Sequence, residues 1–332
     1  MELLEKIVIH KSEFSKNKIL QNLLLVTAIK VEPSRFAGYI NRLDNYDAPE
    51  VAQYALSEHG LAEEAFLIYK NAEMNEKAIE VLLTHIGHLE RASEFAERVA
   101  TPEVWSRLGR AQLDADLVDD AIESYIKAED ASSYQLVIKA AERNQSFARL
   151  IKYLMLARSQ NLNQKDSLID AELLLAFAKC DMLNEIEEFI ANSNQVDINT
   201  VGDRCYNEKL YEAANILFAS INNYTKLARC LVKLKRYVDA IEAAKSAKNS
   251  KVWKEVNFAC VANKEFKLAM ISGLNIINHP DHLEDIIRHY EHYGYPNELI
   301  SLLEGGMASE RAYQGIFTEL GILYAKYRPK KL

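Results

Sequence analysis

An internal repeat constrains the fold of this chain more than any other feature of its sequence. One copy reads VWSRLGRAQLDADLVDDA from Val104, and 148 residues later the chain reads VWKEVNFACVANKEFKLA. At this shift Trp105 aligns with Trp253, and Ala121 aligns with Ala269. Self-similarity at a fixed period predicts a fold assembled from equivalent modules that stack on one another.

The repeat extends over almost the whole chain. LLLVTAIKVEPSRFAGYI from Leu23 aligns without a gap with LLLAFAKCDMLNEIEEFI from Leu173. Further on, SSYQLVIKAAERNQSFARLIKYL from Ser132 aligns with PDHLEDIIRHYEHYGYPNELISL from Pro280, and the shift stays between 148 and 150 residues. We therefore predict the end of a preceding repeat, two full copies and the start of a further repeat, at 1–19, 20–168, 169–318 and 319–332.

The composition indicates an all-α fold. Only 11 Gly and 6 Pro occur in 332 residues, and neither Asn-Gly nor Asp-Gly is present. Helix interiors tolerate Gly and Pro poorly, and those dipeptides are the common turns between antiparallel strands. Apolar residues also recur at three to four residues, the helical period, at Val104, Trp105, Leu108 and Ala111 and again at Leu117, Ala121, Tyr125 and Ala128.

The breaks between these runs predict helical hairpins. Thr101 and Pro102 have the residue types of an N-cap and a first helical position, and an Asp in the sequence Asp114-Ala115-Asp116 can cap the next helix. Alanines recur at 27 to 29 residues, the length of two helices and two turns, at Ala92, Ala121 and Ala148 and at Ala240 and Ala269. We expect these alanines to let two helix backbones approach closely.

Such a hairpin cannot bury its apolar side alone, so successive hairpins are predicted to stack into an α-solenoid. Trp105, Leu108, Gly109, Ala121, Tyr125 and Ala128 follow the packing pattern of a tetratricopeptide hairpin. Gln112 breaks that pattern where Tyr is expected, so we predict the same packing logic and not membership of that family. Structural packing roles are assigned to Trp105, Trp253, Ala121 and Ala269.

Cysteine usage and the N-terminal sequence both indicate the cytoplasm. The four cysteines stand far apart without a CxxC pair, so we predict free thiols that serve as small core residues: Cys180, Cys205, Cys230 and Cys260. No apolar run approaches the roughly 20 residues that cross a bilayer. The N-terminus MELLEKIVIH is acidic where a signal peptide is basic.

The sequence contains no common catalytic motif. A P-loop, GxGxxG, HExxH and GxSxG are all absent. His85 and His88, and likewise His289 and His292, lie three residues apart and could share a helix face, but neither pair has a nearby Cys to complete a zinc site. We interpret them as surface or helix-end histidines, and we predict no catalytic residue, cofactor or metal.

Charge is distributed unevenly along the chain. Residues 44–130 contain 20 acidic and 7 basic residues, whereas residues 226–267 contain 11 basic and 4 acidic residues. Because the net charge is −8 and no nucleic-acid recognition motif occurs, an acidic protein partner is favoured over nucleic acid. A solvated helix face without a partner is the simpler alternative for any single lysine. The largest contrast lies between Asp114, Asp116, Asp119 and Asp120 in one copy and Lys251, Lys254, Lys264 and Lys267 in the other.

Several long segments carry a specific resemblance, in order across almost all of the chain. They are MELLEKIV, LQNLLLVTAIK, YINRLDNYDAP, EFAERV, ESYIKAED, VGDRCYNEKLYEAA, WKEVNFACV, KEFKLA and FTELGILYAKYRPKKL. The chain is similar to the clathrin heavy-chain family. The large copies resemble the repeat of that family.

The resemblance implies a segment of the triskelion leg, from the end of the distal leg through the knee to the start of the proximal leg. Legs of that family interweave into the polyhedral coat of endocytic and trans-Golgi vesicles. Other heavy-chain legs are therefore expected partners, and membrane association would be indirect, through the coat. The resemblance also implies that the adaptor-binding propeller and the trimerisation region lie outside this chain.

The resemblance further implies contact with clathrin light chain, an acidic partner, near the C-terminal end. In LYAKYRPKKL, Lys326 matches a knee lysine that meets an acidic stretch of the light chain, with Arg328 as its neighbour. The basic tail also contains Lys330 and Lys331.

Two other functions remain open on sequence grounds. A tetratricopeptide-like adaptor, or another vesicle-trafficking scaffold, would hold an extended peptide in a groove lined by Asn and Lys. An enzyme built on helical hairpins would need polar residues clustered in a deep cavity. We expect a structural coat protein without catalysis.

Overall fold

The computed structural model describes residues 1–9, 13–160, 167–192, 196–277, 279–307 and 314–328. Within these ranges the chain forms 22 α-helices and no strand, which confirms the predicted all-α class. Contacts divide the chain into two compact units, Met1–Asn163 and Gln164–Leu332. The polar stretch SQNLNQKDS, from Ser159, is expected to form a loop, but Ser159 and Gln160 belong to a helix, and 161–166 lie outside the described residues.

The described residues of the first unit form eleven helices, and a π-helical turn, Leu82–Ile86, directly follows the sixth of them. The helices are α1 (Glu2–Ile9), α2 (Lys18–Val31), α3 (Pro33–Ile40), α4 (Ala48–His59), α5 (Ala62–Asn71), α6 (Asn75–Val81), α7 (Leu89–Val99), α8 (Pro102–Asp114), α9 (Val118–Lys127), α10 (Tyr134–Asn144) and α11 (Phe147–Gln160).

The second unit likewise forms eleven helices within its described ranges. They are α12 (Ser167–Lys179), α13 (Leu183–Ala191), α14 (Ile198–Asn207), α15 (Tyr211–Ser220), α16 (Tyr224–Lys233), α17 (Tyr237–Ala247), α18 (Ser250–Ala262), α19 (Phe266–Leu274), α20 (Pro280–His292), α21 (Pro296–Met307) and α22 (Gln314–Tyr327).

Stacked hairpins build the core of each unit. In the first unit α8 packs against α9, and it also contacts α6 and α7 of the preceding turns. In the second unit α18 packs against α19 and contacts α16, α17 and α20. A helix thus shares its apolar side with its hairpin partner and with the neighbouring hairpin, as the solenoid prediction requires.

Left-handed turns end many of the helices and recur at the period of the repeat. In these turns a residue with positive φ follows the helix, so that backbone N–H groups can reach carbonyls of its last turn. Asp116 N–H donates to the carbonyl of Leu113, and the equivalent Lys264 N–H donates to that of Val261, both at 3.1 Å. Pairs separated by 148 or 149 residues are Gly60 and Lys209, Glu73 and Asn222, Gly87 and Lys235, Ala100 and Lys248, Asp116 and Lys264, and Gln145 and Gly294.

Two predicted caps differ from the structure. Pro102 begins α8 as predicted, but the side chain of Thr101 makes no capping hydrogen bond. The prediction that an Asp caps the helix after Asp114 is wrong, because the N-cap of α9 is Leu117. Asp116 occupies the left-handed turn instead, and its carboxylate accepts a hydrogen bond from Asn144 at 3.0 Å.

Two predicted core positions are exposed. Leu117 is 45% exposed because it lies at the start of α9, where the chain has just left the turn. Ala148 is also exposed, in the first turn of α11, although Ala92 and Ala121 are fully buried. The alanine spacing therefore identifies two core positions of the first copy and one surface position.

Candidate interaction surfaces

The hairpin α8–α9 buries Trp105 and Ala121, two of the predicted packing residues. Trp105 is 6% exposed, and the Lys127 ammonium lies 4.2 Å from the centroid of its ring. Ala121 has no exposed surface, and a Cβ added at Gly109 would lie 3.3 Å from the Ala121 carbonyl oxygen. The two helices thus approach closely where Gly109 faces Ala121, one of the alanines expected to allow this.

The equivalent hairpin α18–α19 buries Trp253 and Ala269. They are 7% and 1% exposed. Asn257, which aligns with Gly109, donates from its Nδ2 to the Ala269 carbonyl at 2.7 Å. All four predicted packing residues are therefore buried.

The two predicted partner-binding residues lie at the C-terminal end of the described chain. Lys326 donates to the Glu291 carboxylate at 2.8 Å, and its ammonium lies 5.0 Å from the ring centroid of Tyr327. The bond to Glu291 raises the pKa of Lys326, so its charge is secure. Arg328 donates to the Asn297 side-chain oxygen from Nε at 3.0 Å and from a terminal nitrogen at 2.7 Å.

The sequence did not indicate that Glu291 and Asn297 would hold these two cations. They lie on α20 and α21, more than 30 residues away in sequence, and only the stacking of hairpins brings them to the end of α22. Lys326 remains exposed beside its partner, with 56% of its side chain accessible. Lys330 and Lys331 lie outside the described residues.

The histidine pairs have different surroundings. His85 and His88 are exposed, as predicted. His289 is half-buried, and its ring stacks on that of Phe258 at 3.9 Å, with Nε2 lying 3.1 Å from the Phe258 carbonyl oxygen. Burial lowers the pKa of His289 and favours the neutral ring. His289 is therefore a helix-end histidine, in the last turn of α20, and it also packs α20 against α18.

The cysteines are free thiols, as predicted. Cys205, Cys230 and Cys260 are buried, and loss of solvation raises the pKa of each to about 12. Such thiols stay neutral and unreactive near pH 7. Cys180 is half-buried and follows the last residue of α12 instead of lying within the helix.

Intramolecular ion pairs reduce the basic excess of residues 226–267. Lys254 contacts Asp285 at 3.0 Å, and Arg229 contacts Glu255 at 2.6 Å. In the first unit, Asp119 lies 3.8 Å from Arg149. Six basic residues of this stretch form no ion pair among the described residues and are the better candidates for partner contacts: Lys233, Lys235, Lys248, Lys251, Lys264 and Lys267.

No group of three or more His, Cys, Asp or Glu side chains in the described ranges could hold a metal ion. Across the same residues, none of the helices combines the length and the apolar character that crossing a bilayer demands.

Comparison with known proteins identifies the family. The sequence model described as "Region in Clathrin and VPS" matches residues 1–120, 125–268 and 274–332. The chain belongs to the clathrin family. This confirms the resemblance carried by the segments from MELLEKIV to FTELGILYAKYRPKKL.

Clathrin heavy chains of distant organisms align with every residue of this clathrin chain. It is 52% identical to the clathrin heavy chain of Dictyostelium discoideum, 51% identical to clathrin heavy chain 1 of Arabidopsis thaliana and 47% identical to the clathrin heavy chain of Drosophila melanogaster. These alignments cover 100% of this chain and 19%, 19% and 20% of the respective relatives. The chain therefore spans about a fifth of the length of the curated relatives it matches.

Proposed function

We propose that this chain is a leg segment of a clathrin coat, with a structural role and no catalysis. The family match over nearly all of its residues carries the proposal, together with about 50% identity to proteins named clathrin heavy chain. The stacked hairpins support it, because such modules present a repeated polar surface on which many weak contacts can form.

In this proposal the chain covers the end of the distal leg, the knee and the start of the proximal leg. Its partners are other clathrin heavy-chain legs, and it acts on the cytoplasmic face of coated pits and vesicles, attached to membranes only through the coat. The two large repeats run over 20–168 and 169–318. The recurrence of left-handed turns at 148 or 149 residues supports the length of these repeats.

A chimera tests the coat role directly. The aligned segment of the Dictyostelium discoideum clathrin heavy chain would be replaced by this chain, which is 52% identical to it over 332 residues. We expect the purified chimera to assemble into closed polyhedral coats visible by electron microscopy, as the parent protein does in parallel. A chimera that is folded and soluble but forms no coats would contradict the proposal.

We further propose that Lys326 and Arg328 contact clathrin light chain. Both side chains are cationic and so suit an acidic partner; Lys326 is exposed in the last turn of α22, and Arg328 follows that helix and is half-buried. Lys326 is held by Glu291, and an acidic segment would have to compete with that carboxylate. Removing the charge of Glu291 should therefore strengthen light-chain binding, whereas reversing Lys326 should weaken it.

Light-chain affinity of the chimera tests this contact. We expect Lys326→Glu to weaken binding about tenfold and Glu291→Gln to strengthen it about threefold at low salt, because exposed charge pairs contribute roughly 0.2–1 kcal/mol each. Lys152→Glu, which reverses an exposed lysine on α11, is the matched control. Unchanged binding by Lys326→Glu across a salt titration would remove this residue from the site.

A further inference from the structure

A polar groove in the first unit has no role in the coat function proposed above. It lies between α7, α8 and α9, and its volume is about 270 Å³. The wall of the groove includes the carboxylates of Glu90, Glu97, Asp120 and Glu123, the ring of Trp105 and the amide of Gln112. We call it the acidic groove.

The charge of the acidic groove is largely uncompensated. Glu123 lies 3.1 Å from Arg149, but Glu90, Glu97 and Asp120 form no ion pair with any described residue. The Lys127 ammonium also lines the groove, where it lies over the ring of Trp105. Four carboxylates facing one ammonium favour a cationic occupant.

Gln112 supplies a second, independent feature. Its side chain is buried, with 6% exposure, and the hydroxyl of Ser124 donates to its Oε1 at 2.6 Å. Its amide lines the groove, and within the described chain Nε2 has no hydrogen-bond acceptor. Because this N–H donor reaches the groove, it can meet an acceptor on a bound ligand.

The acidic groove is specific to the first copy of the repeat. At the shift of 148 residues, Glu90, Asp120 and Glu123 become Val238, Leu268 and Ile271, and Glu97 becomes Lys245. Gln112 becomes Cys260, which has no amide donor. The same three-helix framework thus occurs twice, and only one copy has carboxylates on its rim and an amide in its wall.

We propose that the acidic groove binds an extended, lysine- or arginine-rich peptide segment of a partner protein. Glu90, Glu97 and Asp120 would pair with its basic side chains, and Gln112 Nε2 would donate to a backbone carbonyl. Leu117, 45% exposed at the rim, would contact the aliphatic part of a lysine or arginine side chain. This inference goes beyond the proposed coat function and does not depend on it.

Fluorescence anisotropy of a capped, fluorescein-labelled peptide of alternating lysine and alanine tests the proposal on the full chain. Glu90→Lys with Glu97→Lys should weaken binding about tenfold at low salt, since two exposed pairs are reversed. Gln112→Leu should weaken it about fivefold without changing the salt dependence, because it removes a neutral donor. Glu187→Lys with Glu188→Lys, on exposed positions of α13, makes the same change in net charge and should leave binding unchanged.

Each outcome decides for or against the acidic groove. Binding that falls in the groove variants but not in the α13 variant supports the proposal. Equal losses in both charge-reversal variants would show general attraction to a negative protein and would overturn it. Absence of peptide binding, or full binding by Glu90→Lys with Glu97→Lys, would also overturn it. These two substitutions lie on an exposed helix face, so they test the groove even where Gln112→Leu fails to fold.

Discussion

The two tryptophan-bearing hairpins place the smaller of two facing residues on different helices. In α8–α9 the small residue is Gly109 on the first helix, and the large residue is Tyr125 on the second. In α18–α19 the aligned residues are Asn257 on the first helix and Gly273 on the second. The comparison teaches that the repeat preserves the volume between two helices and not the identity of the residues that fill it.

The exchange extends to the next hairpin of each unit. Tyr125 packs against Tyr153 of α11, with ring centroids 6.0 Å apart. At a shift of 149 residues Tyr153 becomes Leu302 of α21, and a Cβ added at Gly273 would lie 2.7 Å from the Leu302 methyl carbons. Leu302 thus reaches into the space that Tyr125 occupies in the first unit, so each copy has its own consistent core.

Replacing Tyr125 of the first copy by glycine, the residue at the aligned position of the second copy, should have the largest effect on stability. Tyr125→Gly removes a ring that is 1% exposed, and it should lower the free energy of unfolding of the first unit by about 3–5 kcal/mol through the cavity and the helix-breaking glycine. The chain has two Trp residues, one in each unit, so Trp253→Phe leaves Trp105 as a fluorescence reporter of the first unit in urea unfolding.

Tyr125→Phe is the matched control, because it keeps the ring and should cost less than about 1.5 kcal/mol. Equal losses for Tyr125→Gly and Tyr125→Phe would show that the ring does not fill the space as described.

Adding a methyl group to the second copy should have an intermediate effect. Gly273→Ala places a carbon 2.7 Å from Leu302 and 3.2 Å from the Asn257 amide, and it should destabilise the second unit by about 1–2 kcal/mol despite the better helix propensity of Ala. Gly321→Ala on α22 meets no atom within 4 Å and should stabilise the same unit by up to about 1 kcal/mol. Urea unfolding reported by Trp253 in a Trp105→Phe background measures both, and effects of the same sign would contradict the packing argument.

Alkaline pH should lower the stability of the second unit more than that of the first, because all four cysteines lie in the second. The buried thiols of Cys205, Cys230 and Cys260 have pKa values raised from 9.0 to about 12, so they stay protonated in the folded state while unfolded thiols ionise. Stability is therefore complete below pH 9 and falls as pH rises from 9 toward 12. At about pH 10 each thiol should contribute a loss on the order of 1 kcal/mol. Cys260→Val should reduce the loss of stability of the second unit at high pH by the contribution of one thiol. The same dependence of the free energy of unfolding on pH in both units would contradict a role for the buried thiols.

The repeat register, the helix class and the hairpin stacking could all be predicted from the sequence, because apolar periodicity survives the exchange of individual residues. Gly109 was predicted only as part of the tetratricopeptide-like pattern. The sequence could not show why Asn257 replaces it in the second copy, because that depends on which side chain lies opposite across the hairpin. The turns were harder to predict, since left-handed residues such as Asp116 and Lys264 are not glycine. The acidic groove was missed because its residues come from three helices and follow no single period.

The charge contrast between the copies should contribute least to stability. Asp285→Asn breaks the pair that holds Lys254, yet 47% of the Asp285 side chain is accessible to solvent. We therefore expect the free energy of unfolding of the second unit to fall by less than about 0.5 kcal/mol, and salt to abolish the difference. A loss above about 2 kcal/mol would show that the pair is part of the core. Because charges on helix faces contribute so little to folding, each can differ between copies on its own, whereas core residues differ only in compensating sets. The charged positions are therefore those at which each copy can acquire its own partner.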